Sequence, residues 1–184
     1  MHERVLPLQA GIERARQLTE QLLNLARAQA GGVPISEVDI PALARELIAD
    51  YLPMAEAKGI DLGLDEVASV RIEAAPETLR LVLKNGLENA LKFTPAGGEV
   101  TLRLAADDTS AIIDIIDNGP GLPDCEYERV LDPFYRLPGA LGEGSGLGLA
   151  IAREAAAAQG GSLRLHARPQ GSGLVFHYRQ PRKV

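Results

Sequence analysis

Small and apolar positions recur at alternating spacings of four and three through the N-terminal part of the chain. The positions of this stripe are Leu8, Ile12, Ala15, Thr19, Leu22 and Ala26. Charged residues occupy much of the opposite face, so the pattern predicts a long amphipathic helix of a bundle or coiled coil. Gly31, Gly32 and Pro34 end this helix and predict a linker, which divides the chain into segments 1–32 and 33–184.

The pattern after the linker changes to a mixture of helices and strands. Helices are predicted at residues 41–58, 76–93 and 147–159. Pro53 is expected to bend or shorten the first of them, because proline lacks the backbone N–H that a helix needs. Short strands are predicted at residues 60–64, 70–73, 99–105, 111–117, 163–167 and 174–178. This order predicts a two-layer α/β sandwich, in which helices cover one face of a mixed sheet, preceded by the N-terminal amphipathic helix.

Charge and cysteine content exclude several classes of partner. The formal net charge is -6 and the lysines and arginines are dispersed, which argues against nucleic-acid binding. The single cysteine, Cys125, excludes an internal disulfide and fits a reducing compartment. No apolar run approaches the about 20 residues that cross a bilayer, so this segment is expected to make no direct membrane contact.

Three polar or glycine-rich islands interrupt the apolar pattern. In the first, Asn85, Asn89 and Lys92 are spaced i, i+4 and i+7 and therefore share one helix face. Amide oxygens suit a hard cation such as Mg²⁺, and a lysine at a helix end suits phosphate. A solvated helix face is an equally good interpretation of this island taken by itself.

The other two islands are glycine-containing turns. Asp117 ends a predicted strand before Gly119 and Gly121, so its carboxylate can accept from an amino group while the backbone approaches a flat ring. An ordinary Asn-Gly turn is the alternative. Residues 142–148 place glycines directly before a helix, where bared N–H groups and the helix dipole favour an anion. A flexible connection is the alternative interpretation of that loop.

In order and spacing, these islands resemble the histidine-kinase branch of the ATPase superfamily that includes DNA gyrase and the heat-shock chaperone ATPases. Residues 85–95 resemble its N box, 117–121 its G1 box and 144–149 its G2 box, while 132–136 is similar to its F box. The resemblance covers essentially the whole chain. It implies the fold of that superfamily and, as cofactors, ATP and Mg²⁺.

The resemblance also implies a role for each motif residue. Asn89 is expected to ligate Mg²⁺ with support from Asn85, Lys92 to contact phosphate, and Phe93 to pack near the nucleotide. Asp117 is expected to accept from the amino group of adenine. Further residues expected at the nucleotide are Gly119, Gly121, Phe134, Arg136, Gly144, Ser145, Gly146, Leu147 and Gly148.

Residues 122–145 are expected to form a mobile lid over the nucleotide. Phe134 would anchor this lid, Arg136 would reach the phosphates from it, and the glycines that follow would hinge it. One departure from the family is visible at residues 173–176, which read Gly-Leu-Val-Phe where relatives often place a threonine near adenine. A hydroxyl contact from this hairpin is therefore not expected.

Asn85 separates a kinase from a hydrolase. Superfamily members that hydrolyse ATP carry a glutamate at this position to activate water, and an amide cannot accept that proton at neutral pH. Glu88 lies about 300° around the helix from Asn85 and is expected to be a surface carboxylate. The prediction is a histidine kinase domain that transfers the γ-phosphoryl group of ATP to a histidine. A gyrase-like ATPase and a nucleotide-binding module without catalysis are the alternatives.

The acceptor histidine is not expected in this chain. His2, Glu3, Pro7 and Leu8 match the family's His-Glu-x-x-x-Pro-Leu segment, but the helix that follows looks like the second helix of the acceptor bundle. A true acceptor would precede that helix by a whole helix, so His2 is interpreted as a chance match. His166 and His177, in late strands, are expected to be ordinary sheet residues.

The resemblance makes residues 1–32 a partial dimerisation and phosphotransfer helix and 33–184 the catalytic domain. The missing phosphoacceptor helix would act in cis or in trans, and this chain alone would not autophosphorylate. Other expected partners are a cognate response regulator, whose aspartate receives the phosphoryl group, and a second copy of the chain bound through residues 8–29. The domain is expected to be cytoplasmic and its parent protein to lie in the bacterial inner membrane.

Overall fold

The computed structural model describes residues 34–138 and 145–182, together with Leu23. The predicted helix over residues 8–29, the domain boundary at residue 32 and His2 lie outside the described residues. The elements follow in the order β1 (Ser36–Asp39), α1 (Ile40–Lys58), β2 (Asp61–Glu66), β3 (Arg71–Ala74), α2 (Pro76–Phe93), β4 (Glu99–Ala106), β5 (Ser110–Asp117), α3 (Gly148–Ala158), β6 (Ser162–Ala167) and β7 (Leu174–Pro181). Two short 3-10 turns, Asp124–Glu126 and Arg129–Leu131, precede α3.

Five strands form the central sheet in the order β2-β4-β5-β7-β6. The pair β2–β4 is parallel, whereas β4–β5, β5–β7 and β6–β7 are antiparallel. Alternate residues of β4 and β5 are buried, as expected for strands that cover a core on one face only. The apolar side chains that α2 buries on this core are Leu79, Val82, Leu83, Leu87 and Leu91. The predicted two-layer α/β sandwich is confirmed.

Local sequence explains where the main helices begin and end. The carboxylate of Asp39 accepts from the backbone N–H of Ala42 at 3.0 Å and so caps the first turn of α1. Gly59 ends this helix in the left-handed conformation, with φ of 68°. Pro76 begins α2, where its missing N–H costs nothing. Lys92, in the last turn of α2, opposes the partial negative charge of that terminus.

The structure differs from the prediction at β1 and β3. The sequence pattern predicts no strand at Ser36–Asp39, and it predicts a single mixed sheet that includes residues 70–73. Instead, β1 and β3 form a separate antiparallel pair, with Val38 opposite Ile72. Ion pairing supports this register, since Arg71 lies 2.9 Å from Glu37. Four-residue strands carry too little alternation to reveal which partner they will choose.

Pro53 does not shorten α1, which was one of the two effects expected of it; the other effect, a bend, remains a prediction. The helix continues for five residues beyond it, to Lys58. Pro53 and Ala49 are both exposed, so the carbonyl of Ala49, which receives no N–H from Pro53, can bond to water instead. None of the helices in residues 34–138 and 145–182 is long and apolar enough to cross a membrane.

The core side of α2 provides a test of the fold. Leu83 is fully buried, and its replacement by alanine leaves a cavity against the sheet. We expect Leu83→Ala to lower the free energy of unfolding by about 2–5 kcal/mol, measured by urea denaturation. The neighbouring Lys84 is exposed, so Lys84→Ala should change the free energy of unfolding by less than about 1 kcal/mol. Equal losses in the two variants would contradict this orientation of α2.

Candidate functional site

A cavity of about 760 Å³ lies between α2, the loop after β5 and the start of α3. Ten of the residues that the sequence analysis selected line it. They are Asn85, Asn89, Lys92, Phe93, Asp117, Gly121, Arg136, Ser145, Gly146 and Gly148. Four motifs, the N, G1, F and G2 boxes, therefore meet at one cavity. Its volume lies within the range of pockets that hold cofactor-sized ligands.

The polar face of α2 supplies two amides and a cation to the cavity. Asn85 is buried, and its side-chain nitrogen donates to the carbonyl of Leu81 at 2.8 Å, which fixes the amide. Asn89 is half-buried and its side chain makes no hydrogen bond within the part of the chain that the structure describes. Burial, reinforced by the neighbouring Arg136, lowers the pKa of Lys92. An unengaged amide beside two cations suits a metal-bound anion.

Asp117 is a buried carboxylate at the end of β5. Its Oδ1 accepts from the backbone N–H groups of Gly119 at 2.8 Å and Leu174 at 3.3 Å. Burial raises the pKa of Asp117, while these two hydrogen bonds oppose the shift. Because both backbone N–H groups donate to Oδ1, the other carboxylate oxygen, Oδ2, can accept a hydrogen bond from a ligand in the cavity.

Glycines allow the last hairpin to approach the strand end that carries Asp117. A Cβ atom on Gly173, whose φ is 136°, would lie 2.0 Å from the backbone oxygen of Asp117. Gly121 has φ of 70°, and a Cβ there would lie 3.0 Å from the carbonyl oxygen of Gly173. The hydroxyl of Ser172 donates to the carbonyl of Gly119 at 2.8 Å and ties the two segments together. Side chains at either glycine would push the hairpin away from Asp117.

The start of α3 forms another wall of the cavity. Gly146 has φ of 71°, and a Cβ there would lie 2.8 Å from the carbonyl oxygen of Tyr135. The backbone N–H of Phe134 donates to the carbonyl of Gly146 at 3.0 Å, so the F-box segment is bonded to the glycine loop. A Cβ on Gly148 would lie 3.1 Å from the side-chain oxygen of Asn85. The start of α3, where the first N–H groups have no partner within the helix, therefore lies beside the side-chain amide of Asn85.

Three predicted residues of the described part of the chain do not line the cavity. Gly119 lies behind Asp117, to which its N–H donates. Leu147 is fully buried as the residue before α3. Phe134 has φ of 65° and is 60% exposed, so its ring does not pack as an anchor, and the neighbouring Tyr135 lines the cavity instead. Gly144 lies outside the described residues.

The first half of the predicted lid is packed rather than extended into solvent. Val130 and Leu131 are buried. The hydroxyl of Tyr135 donates to Glu126 at 2.7 Å, and the Arg129 guanidinium lies 4.5 Å from the centre of the Tyr135 ring. These contacts give the segment a defined shape up to the cavity wall.

Several residues that line the cavity were not predicted from the sequence. Lys58, Glu88, Tyr135 and Leu174 are among them. Glu88, expected to be a surface carboxylate, accepts from the hydroxyl of Tyr51 at 2.8 Å. Tyr135 adjoins the F box and could have been found there. No local signal identifies Lys58, because it reaches the cavity from a different helix.

Within the described residues, no group of three or more His, Cys, Asp or Glu side chains is placed to hold a metal ion. The histidines of β6 and β7 are sheet residues, and the His177 ring nitrogen lies 2.6 Å from Asp114. Cys125 is exposed.

Comparison with known proteins agrees with this geometry. A family model described as Histidine kinase-, DNA gyrase B-, and HSP90-like ATPase matches residues 74–184. The swarming motility regulation sensor protein RssA of Serratia marcescens is 38% identical over 92% of this chain and 37% of its own length. The sensor protein kinase PmrB of Pseudomonas aeruginosa is 33% identical over 92% of this chain and 36% of its own length. The chain thus spans little more than a third of these relatives.

Solved structures give the same result. Full-length ShkA in complex with AMPPNP superposes with a TM-score of 0.85 at 29% identity, over 100% of this chain and 39% of that one. The histidine kinase ThkA in complex with response regulator protein TrrA has a TM-score of 0.77 over 95% of this chain and 49% of that one, and at 20% identity it supports the fold alone. The chain belongs to the histidine kinase-, DNA gyrase B- and HSP90-like ATPase family, and it carries the catalytic domain of a sensor histidine kinase.

Proposed function

We propose that this domain binds ATP with Mg²⁺ in the cavity and transfers the γ-phosphoryl group to a histidine on a partner helix. The observation that carries the proposal is the set of polar side chains that line one cavity. A buried carboxylate, Asp117, an unengaged amide, Asn89, and two cations, Lys92 and Arg136, all line the same cavity. A purine with an amino group and a polyanionic tail is a ligand that uses all of them.

Asp117 selects the base in this proposal. Its Oδ1 is occupied by two backbone donors, so Oδ2 is the atom that accepts from the 6-amino group of adenine. Residues 173–176 carry no threonine where relatives often place one near adenine, and Leu174 contributes an apolar wall to the cavity instead of a hydroxyl. Phe93, which is 37% exposed at the cavity, adds an aromatic surface near the nucleotide. Selectivity among purines then depends on one carboxylate.

Asn89, Lys92 and Arg136 hold the phosphates. Mg²⁺ would be ligated by the amide oxygen of Asn89 and by phosphate oxygens, and would neutralise charge on the transferred group. Burial and the neighbouring charge of Arg136 lower the pKa of Lys92, so the two cations lie close enough to act on the same anion. The N–H groups at the start of α3, next to Ser145 and Gly146, add donors to the same anion.

Asn85 favours phosphoryl transfer over hydrolysis. Its amide nitrogen is committed to the Leu81 carbonyl, and an amide does not deprotonate water. Glu88 is the carboxylate that a hydrolase would need, but it is held by the Tyr51 hydroxyl and lies 3.8 Å from Lys84. The nucleophile is therefore proposed to come from another segment. A gyrase-like ATPase remains the second candidate because Glu88 lines the cavity.

We further propose the partners of the parent protein from its relatives, which are named as sensor proteins. The acceptor histidine lies on a helix that acts in cis or in trans, and a response regulator receives the phosphoryl group. Residues 1–32 form part of the dimerisation segment, and residues 8–29 contact a second copy. The parent is a protein of the bacterial inner membrane with this domain on the cytoplasmic side.

Asp117→Asn tests the base-recognition part of the proposal. The two backbone donors keep the amide oxygen in the Oδ1 position, so the NH₂ group replaces Oδ2 and meets the adenine amino group donor to donor. We expect ATP affinity to fall roughly tenfold or more, and the ratio of ATP to GTP affinity to fall with it, by calorimetric titration. An unchanged ratio would contradict the role of Asp117.

The same variant has a stability signature. Burial raises the pKa of Asp117, so the charged form costs stability above that pKa and the cost disappears as pH falls through it. Without nucleotide, Asp117→Asn should unfold at a higher temperature than the wild type at neutral pH, so weaker ATP binding by this variant cannot be attributed to unfolding. The difference between the two unfolding temperatures should shrink in acid.

Asn89→Ala tests the metal and phosphate part. Removing the amide should weaken Mg-ATP binding by roughly ten- to a hundredfold, while adenosine affinity changes little. Arg80→Gln is the matched control, since Arg80 lies on the same helix but pairs with Glu46 and Asp50 outside the cavity. Parallel losses for Mg-ATP and adenosine in Asn89→Ala would assign Asn89 a structural role only.

Transfer to a separate acceptor distinguishes kinase from ATPase. With labelled ATP and the parent's acceptor helices supplied as a second polypeptide, we expect label on that polypeptide and none on this chain alone. Asn89→Ala should abolish the transfer. Steady hydrolysis of ATP by this chain alone, lost in Glu88→Gln, would instead establish the ATPase.

A further inference from the structure

Two side chains of α1 reach across to the last turns of α2. Tyr51 and Lys58 are seven residues apart and so share one face of α1. The ammonium of Lys58 donates to the carbonyl oxygens of Leu91 and Lys92, each at 2.7 Å. The hydroxyl of Tyr51 donates to Oε1 of Glu88 at 2.8 Å. Both contacts fall on the segment of α2 that carries Asn89 and Lys92.

The Lys58 contact changes the electrostatics of the cavity wall. The last carbonyls of a helix carry a partial negative charge, and here the end of α2 lines the cavity through Phe93 and Thr94. An uncompensated helix C-terminus would repel a polyanion. Lys58 places a full positive charge on two of those carbonyls and itself lines the cavity. An ammonium has three N–H donors, and two of them are engaged here.

The Tyr51 contact restrains the carboxylate beside Asn89. Glu88 lines the cavity, so its charge can approach an anion bound there. Burial and the adjacent Glu88 charge raise the pKa of Tyr51, which keeps the hydroxyl protonated and donating. Lys84, 3.8 Å from the same carboxylate oxygen, holds it on the outer side of α2. The two residues of α1 thus act on the same part of α2 by different means.

We propose that Lys58 and Tyr51 are positioning residues for polyanion binding, which neutralise the end of α2 and hold the Glu88 carboxylate away from the phosphates. This inference rests on the proposed binding of Mg-ATP. It goes beyond the sequence motifs, because neither residue belongs to a motif and each acts on the segment of α2 that carries Asn89 and Lys92.

Titration of each variant with Mg-ATP and with adenosine tests the proposal. Lys58→Met should weaken Mg-ATP binding roughly tenfold and leave adenosine binding nearly unchanged, since adenosine carries no charge. Lys58→Arg should recover most of the loss because it keeps the cation. Arg45→Met is the control, because Arg45 is a cation of α1 that pairs with Glu66 and not with α2. This variant should bind both ligands as the wild type does. The melting temperature of each variant shows that it is folded.

A double variant isolates the second contact. Tyr51→Phe should weaken Mg-ATP binding roughly threefold, and adding Glu88→Gln should restore it, because the released side chain then carries no charge. Wild-type Mg-ATP affinity in Lys58→Met, or equal losses for Mg-ATP and adenosine, would overturn the role of Lys58. Failure of Glu88→Gln to restore binding would overturn that of Tyr51. A wild-type chain that binds no nucleotide would overturn the proposed function itself, and this inference with it.

Discussion

The buried carboxylate of Asp117 is the constraint on which the arrangement of the site depends. A charge inside the fold must be matched by donors, and the chain supplies two backbone N–H groups to one oxygen, from Gly119 and Leu174. Those donors come from segments more than fifty residues apart, so the turn after β5 and the final hairpin must touch. Gly173 makes that contact feasible, because any side chain there would overlap the backbone of Asp117.

The helix α2 joins stability to function. Its apolar side chains, with Leu83 and Leu87 fully buried, fix the helix on the sheet. The backbone positions of Asn85, Asn89 and Lys92 are then fixed as well, because these residues alternate with the buried positions on the same rigid helix. Gly86 brings the helix and sheet closer still, since a Cβ there would lie 2.5 Å from the side chain of Ile115. Packing of the core therefore determines where the polar face meets the cavity.

The periodicity of the sequence predicted the bounds of a helix, but it did not predict contacts between residues that are distant in sequence. The pattern of α2 places its beginning and end at the observed residues because the apolar stripe, Pro76 and Lys92 all agree. The strand Ser36–Asp39 escaped prediction because its partner, β3, is more than thirty residues away. The position of Lys58 could not be read from sequence for the same reason, since only the packing of α1 against α2 brings it to Leu91. The order of the motifs correctly predicted ten residues that line the cavity. It did not predict the exposed position of Phe134, which follows from the local backbone conformation of that residue.

The charges around the cavity explain why an amide at position 85 has a chemical consequence. A carboxylate in place of Asn85 would lie beside the start of α3, since the existing side-chain oxygen is within 3.1 Å of where a Cβ on Gly148 would lie. Its negative charge would compete with a bound polyanion for the N–H groups at the start of α3, whereas a neutral amide does not. The amide also accepts no proton from water at neutral pH, which a glutamate at this position could do. An amide at position 85 therefore fits the proposed transfer to an external nucleophile better than it fits hydrolysis.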